Sequence, residues 1–176
     1  MFERIALSLA LCLLGAGAQA EVSQSSADGF TVTQRREVHA PPAALVAAVG
    51  RVGEWWADAH TFSEHASNLV LETKAGACFC ERWADGSVQH AQVIYVAPGI
   101  VRLVGALGPL QGLAVNGVLT IAIQPPAKGS AADARNLLVV TYRIGGGEAA
   151  DMQRLPAMVD GMMGETTDRL ARYLDR

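Results

Sequence analysis

Residues 68–144 alternate apolar and polar side chains with a period of two, and turn residues interrupt the alternation at short intervals. Asp85-Gly86 is the clearest interruption, because Asp-Gly readily supplies the positive φ angles of a tight hairpin. Strands joined by such turns pair as an antiparallel meander. The pattern predicts strands over residues 68–73, 77–83, 87–97, 100–107, 115–124 and 136–144. Such a sheet must bury one face, so another part of the chain has to cover it.

A long apolar stripe near the C terminus indicates what that cover is. The spacing predicts a helix that begins at Asp151 or Leu155 and ends at Leu174. Its apolar side recurs at steps of three and four residues, as one helix face requires. The stripe consists of Leu155, Val159, Met162, Met163, Thr166, Leu170 and Tyr173. Before the meander, residues 30–39 predict another strand and residues 43–57 two short apolar helices.

The order of these elements predicts an α+β fold. One strand and two short helices precede about six antiparallel strands, and one long helix follows them, so helices and strands stay segregated along the chain. A strongly twisted antiparallel sheet can curl around a long helix. The space between sheet and helix is then either packed core or a cavity for a ligand.

The first 20 residues have the layout of a secretory signal peptide. Arg4 provides a positive start, residues 5–14 are apolar, and Ala18-Gln19-Ala20 is an A-x-A cleavage site. The alternative is an uncleaved anchor, but the apolar run is shorter than the ~20 residues that cross a bilayer. We therefore predict cleavage after Ala20.

Three regions follow from this prediction: a signal peptide over 1–20, a flexible leader over 21–29 and one domain over 30–176. The mature protein is expected to be secreted or periplasmic, without stable insertion into the membrane. The net charge of −3 argues against a nucleic-acid partner, which needs a concentrated basic patch.

The two cysteines of the predicted domain stand two residues apart in one predicted strand. Cys78 and Cys80 would point to the same face, with Cα atoms about 6.6 Å apart. That distance is near the upper limit for a disulfide. We favour two small buried thiols over a reducible disulfide pair, because free cysteine is among the most buried residue types.

The alternation also selects residues for possible chemistry. If the cysteines share one strand face, then Phe79, Glu81 and Trp83 share the other, and the aromatic rings favour this second face as the inner one. A buried Glu81 would have a raised pKa and could recognise or protonate a ligand. The alternatives are a Glu81–arginine pair or a position on the outer face. His90 could act as a general base if it lay beside a carboxylate. We name Glu81 and His90 as the catalytic candidates.

The loop over residues 58–65 is the one stretch whose side chains could be considered as metal ligands. It contains Asp58, His60, Glu64 and His65. Their spacing matches no strong zinc pattern, so we predict a solvated loop, no metal and no cofactor.

Three stretches of this chain resemble the START-like, or SRPBCC, superfamily of plant allergens, lipid-transfer domains and polyketide cyclases. The first covers residues 38–49 with Trp55-Trp56, the second residues 76–86, and the third residues 158–174. Within the superfamily the sequence is most similar to homologues of the heat-shock ATPase activator. The resemblance implies a helix-grip fold, in which about six to seven strands wrap around the C-terminal helix, and an apolar cavity. It does not imply one activity, because one fold carries many functions.

We expect an exported protein that holds a small hydrophobic, lipid-like or polycyclic ligand. Residues 108–115 would form a gate to the cavity. The residues expected to bind the ligand are Trp56, Phe79, Glu81, Trp83, Tyr95, Leu119, Ile121, Met158 and Met162. One alternative is a cyclase or dehydratase-type enzyme that uses Glu81 or His90. The other is a non-catalytic interaction module, which would expose an apolar patch and have no usable cavity.

Overall fold

A computed structural model describes residues 19–23, 25–146, 152 and 154–176. Most of the predicted signal peptide and the alternative helix start at Asp151 lie outside these residues. The described residues form one antiparallel sheet in the order β1-β2-β8-β7-β6-β5-β4-β3. Its strands are β1 (Gln19–Ser23), β2 (Gly29–Val38), β3 (Leu69–Leu71), β4 (Cys78–Trp83), β5 (Gly86–Ala97), β6 (Ile100–Val104), β7 (Val115–Gln124) and β8 (Asn136–Gly146). The helices are α1 (Leu45–Gly50) and α2 (Leu155–Leu174), accompanied by several short 3-10 turns.

The predicted meander runs from β3 to β8, with each strand beside the next. β2 then pairs with β8 along its whole length, from Gly29 opposite Gly145 to Val38 opposite Asn136. Every second residue of β7 from Gly117 to Ile123 is buried, so one face of the sheet packs inward as the alternation predicted. The predicted α+β helix-grip fold is confirmed.

The N-terminal strand β1 differs from the prediction of a flexible leader over residues 21–29. Gln19 pairs with Arg35, and Ser23 with Thr31, along the outer edge of β2. The predicted cleavage after Ala20 would therefore fall inside β1. Sequence alternation did not reveal this strand because an edge strand pairs through backbone groups, which any short polar sequence offers.

Helix α2 packs its predicted apolar stripe against the sheet, with Leu155, Val159, Met163 and Leu170 buried. Polar contacts to β2 fix its position. The Gln34 side chain, fully buried, donates to Asp160 Oδ1 at 2.7 Å. Among the described residues, no helix combines the length and the apolar character needed to cross a bilayer.

Cys78 and Cys80 are joined by a disulfide, so the prediction of two free thiols is wrong. Their Cα atoms are 5.3 Å apart, closer than in a regular strand. The neighbouring strand β5 also departs from regular geometry at this point. Phe79 pairs with Ala91 but Cys80 pairs with Gln89, so that His90 has no partner residue across the ladder. Alternation assumes an unbroken ladder, and bulges disturb it locally.

Replacing both cysteines by serine should lower the free energy of unfolding by only about 1–2 kcal/mol. The disulfide closes a loop with a sequence separation of 2, and the entropy that a crosslink removes from the unfolded chain grows with loop length. Urea unfolding of the Cys78→Ser/Cys80→Ser variant measures the effect. A loss above about 4 kcal/mol, the range of long-loop disulfides, would contradict this account.

Candidate ligand-binding site

A cavity of about 370 Å³ lies between α2, the loop after α1 and the segment that follows β6. Its wall is mostly apolar, and its polar side chains are His60, Thr61 and His90. Phe62 and Met158 are 52% and 53% exposed, which places them at the rim. The full lining consists of Trp56, Ala59, His60, Thr61, Phe62, His90, Leu107, Gly108, Pro109, Leu110, Met158, Val159 and Met162.

A second hollow of about 500 Å³ runs along the ends of β2, β7 and β8, where Phe30 and Arg143 contribute to its lining. It is wide open to solvent. A shallow hollow of this kind buries little of a ligand, whereas binding sites enclose most of the ligand surface. The smaller and more enclosed cavity is the candidate site.

The loop over residues 58–65 forms one wall. None of its residues is buried, as expected of a solvated loop, but hydrogen bonds tie it to the rest of the domain. Asp58 Oδ1 accepts the Ala66 N–H at 2.6 Å. At the middle of the loop, the backbone N–H groups of Phe62 and Ser63 donate to the Glu81 carboxylate at 3.1 and 2.6 Å. The described residues contain no cluster of three or more metal-ligating side chains.

Glu81 lies on the inner face of β4 and is fully buried, as the alternation predicted. Its third hydrogen bond joins Oε2 to His90 Nε2 at 3.0 Å. The structure therefore pairs Glu81 with a histidine and not with an arginine. It also brings the two catalytic candidates into direct contact.

Burial alone would raise the pKa of Glu81, but hydrogen bonds from Ser63, Phe62 and His90 outweigh it and hold the pKa below its ordinary value. The predicted rise is therefore wrong, because sequence could not reveal the donors. Burial lowers the pKa of His90, although Glu81 opposes this. At neutral pH the pair thus consists of a carboxylate and a neutral imidazole.

Two aromatic rings contact the His90 imidazole. The Phe62 ring stacks on it with centroids 5.9 Å apart and planes at 24°. Phe79 packs on it at 5.0 Å and in turn contacts Trp56 at 5.4 Å. With Nε2 bound to Glu81, the ring has a single orientation.

A second imidazole in the cavity wall is also paired with a carboxylate. His60 Nε2 lies 2.9 Å from Glu165 Oε2 on α2. This contact links the loop to the helix across the rim. Arg169 adds to the link, since its guanidinium donates to the carbonyl oxygens of Trp55 and Trp56 at 2.7 and 2.9 Å.

No protein-family model and no curated protein matches this chain. Solved structures do. An uncharacterized protein from Rhizobium leguminosarum is 19% identical, with a TM-score of 0.55 and coverage of 92% of this chain and 99% of that one. CalU16 from Micromonospora echinospora is 10% identical, with a TM-score of 0.51 and coverage of 90% and 85%. The di-domain ARO/CYC protein StfQ from the steffimycin biosynthetic pathway is 8% identical, with a TM-score of 0.54 and coverage of 85% and 50%.

The chain has the helix-grip fold. At these identities the likeness establishes the fold alone, and the helix-grip architecture that the resemblance implied is confirmed. The cavity lies where α2 faces the 58–65 loop and residues 107–110.

Five of the nine predicted ligand-binding residues lie at or next to this cavity. Trp56, Met158 and Met162 line it. Phe79 and Glu81 are buried behind His90 and touch its ring or its Nε2 atom. Part of the predicted gate, from Gly108 to Leu110, also lines the cavity.

The other four predicted residues lie elsewhere. Trp83 packs over Gly86 at the hairpin turn, where an added Cβ would fall 2.5 Å from its ring. Tyr95 is 46% exposed, because a register shift between Val93 and Tyr95 turns the strand. Leu119 and Ile121 are buried in the core and lie outside the cavity lining.

Sequence reasoning did not place Phe62 and Leu107 in the cavity, and it considered His60 only as a possible metal ligand. Loop residues carry no periodic signal that predicts where they point. Val159 was assigned to the packed stripe of α2, and it serves there and in the cavity wall.

The Glu81–His90 pair should make the helix-grip domain less stable as the pH falls. Both folded pKa values are below the ordinary values of 4.5 and 6.5, so the unfolded chain binds more protons below pH 6.5. The His90 contribution is lost first on acidification, and the Glu81 contribution follows below pH 4.5. Urea unfolding between pH 8 and pH 4 tests this. The double variant Glu81→Gln/His90→Phe should lose stability less steeply over that range, and an equally steep loss would contradict the assignment.

Proposed function

We propose that this protein is an exported binding protein that holds a small hydrophobic ligand in the cavity between α2 and the 58–65 loop. The observation that carries the proposal is the enclosed, mostly apolar space of about 370 Å³. Ligand sites typically measure about 300–1,000 Å³, so this one suits a compact ligand such as two or three fused rings. A protein-interaction module without a cavity would have filled this space with side chains.

The walls of the cavity support entry of a ligand from the rim. Phe62 and Met158 are apolar but largely exposed. A bound ligand would cover them and remove this apolar surface from water. Pro109 and Gly108 lie opposite in a short 3-10 turn. One matching helix-grip structure comes from the steffimycin biosynthetic pathway, which favours a ring-shaped ligand here.

Two features support export. The N-terminal residues have the layout of a signal peptide, and the Cys78–Cys80 disulfide is typical of an oxidising compartment. Mass spectrometry of the protein from the periplasmic fraction should show a chain that begins at Glu21. A full-length chain in the cytoplasm with reduced cysteines would overturn this part of the proposal.

Binding can be tested with N-phenyl-1-naphthylamine, a neutral probe that fluoresces in apolar surroundings. The wild-type protein should bind it at one saturable site. Met162→Trp should weaken binding by about tenfold or more, because the indole takes up space that a ligand ring needs. Val70→Trp is the matched control, since Val70 is 50% exposed on β3 and does not line the cavity.

Binding to wild type and Val70→Trp, together with loss in Met162→Trp, would support the site. Equal binding to all three proteins would place the probe elsewhere. Absence of saturable binding to the wild type would contradict the binding function. Thermal unfolding of each variant checks that the protein is folded under the assay conditions.

A further inference from the structure

The second ring nitrogen of His90 is a polar atom of the site for which the described residues provide no hydrogen-bond partner. His90 is 5% exposed and lines the cavity. Its hydrogen bond to Glu81 uses Nε2. Among the described residues, no fully enclosed side-chain nitrogen or oxygen lacks a partner, so Nδ1, which has none, borders the open space of the cavity.

The surroundings of Glu81 decide which nitrogen carries the proton. Phe62 and Ser63 present backbone N–H groups to the carboxylate, and such groups only donate. A carboxylate that receives these donors is best satisfied as an ion that also accepts from His90. Nε2 therefore holds the hydrogen, and Nδ1 presents a lone pair to the cavity.

The orientation of this lone pair is built into the fold. His90 is the residue that the β4–β5 bulge leaves without a partner across the ladder. Its ring contacts Phe62 and Phe79. Bulges commonly redirect a side chain towards a site. An acceptor fixed in an apolar wall favours a ligand that brings one matching donor.

We propose that His90 Nδ1 selects apolar ring ligands that carry a hydroxyl group, which donates its hydrogen to this nitrogen. Glu81 is the positioning residue that sets the tautomer. The inference rests on the proposed binding function and names the ligand class: a compact, phenol-like or alcohol-bearing hydrocarbon. A hydrocarbon of equal size without a donor leaves the buried acceptor unsatisfied.

The test compares 2-naphthol with 2-fluoronaphthalene, which has nearly the same shape but no donor, by isothermal titration calorimetry at pH 7.5. The wild-type protein should bind 2-naphthol about 5- to 100-fold more tightly, the cost of leaving a buried acceptor unpaired. His90→Phe should remove this preference, so that the ratio of the two affinities falls to about one. Glu81→Gln should reduce the preference, because the amide can donate to Nε2 and move the ring hydrogen to Nδ1.

A second measurement does not depend on any variant being folded. In wild-type protein labelled with ¹⁵N-histidine, the Nδ1 signal of His90 should shift on addition of 2-naphthol and stay in place with 2-fluoronaphthalene. Equal affinities and an unmoved Nδ1 signal would overturn the inference while the binding function stands. Failure of both naphthalenes to bind would overturn the binding function, and the inference with it.

Discussion

Glu81→Ala should lower the free energy of unfolding by about 3–5 kcal/mol, because three donors lose their acceptor and each buried donor left unpaired costs about 1–3 kcal/mol. The carboxylate is fully buried and accepts three hydrogen bonds. Its removal leaves the N–H groups of Phe62, Ser63 and His90 without an acceptor in a place that water reaches poorly. Urea unfolding at pH 7.5 measures the loss.

Glu81→Gln is the matched variant for this experiment. Its amide keeps the shape and one acceptor oxygen, so we expect a smaller loss of about 1–3 kcal/mol. If the unfolding free energy of Glu81→Ala were within about 1 kcal/mol of the wild-type value, the hydrogen bonds to the 58–65 loop would not hold that loop in place. The cavity wall would then need another explanation.

Phe79→Ala should lower the free energy of unfolding by about 3–5 kcal/mol, the range for truncating a large aromatic side chain in a core. The ring is 2% exposed and lies between Trp56 and His90. Truncation removes buried apolar surface and leaves a void directly behind the imidazole. We also expect weaker binding of N-phenyl-1-naphthylamine. His90 and Trp56 both pack against the Phe79 ring and form part of the cavity wall.

Phe79→Leu separates the two effects, since it keeps most of the volume but not the flat ring. Its unfolding free energy should fall by less than that of Phe79→Ala. If the alanine variant bound the probe as tightly as the wild type, Phe79 would support only the core. The orientation of His90 would then depend on Glu81 and Phe62 alone.

The Glu81–His90 pair offers more than a polar anchor in a hydrophobic wall. A carboxylate-backed imidazole with one nitrogen open to a cavity also has the arrangement of a general base. This is the observation that favours the alternative of a cyclase or dehydratase-type enzyme. A turnover assay with any compound that co-purifies with the protein would decide between binding alone and binding with catalysis.

Part of the site could be predicted from the sequence. The inner face of β4 follows from alternation, which placed Phe79 and Glu81 together. The tight turn at residues 84–85 then sets Glu81 opposite Val88, which leaves His90 two residues along on the neighbouring strand. Diagonal neighbours of this kind lie within reach of long side chains, so the contact was encoded in the hairpin register.

The sequence by itself determined the meander, the covering helix and the inward face of β4, because these depend on local periodicity and turn chemistry. Only the tertiary structure decided the disulfide, the outward position of Tyr95 and the role of the 58–65 loop. The last two depend on a bulge and on backbone hydrogen bonds between distant segments, and the disulfide depends on a Cα–Cα distance shorter than that of a regular strand. A bulge shifts the pairing by one residue and thereby changes the face on which later side chains lie, and no periodic pattern records that shift.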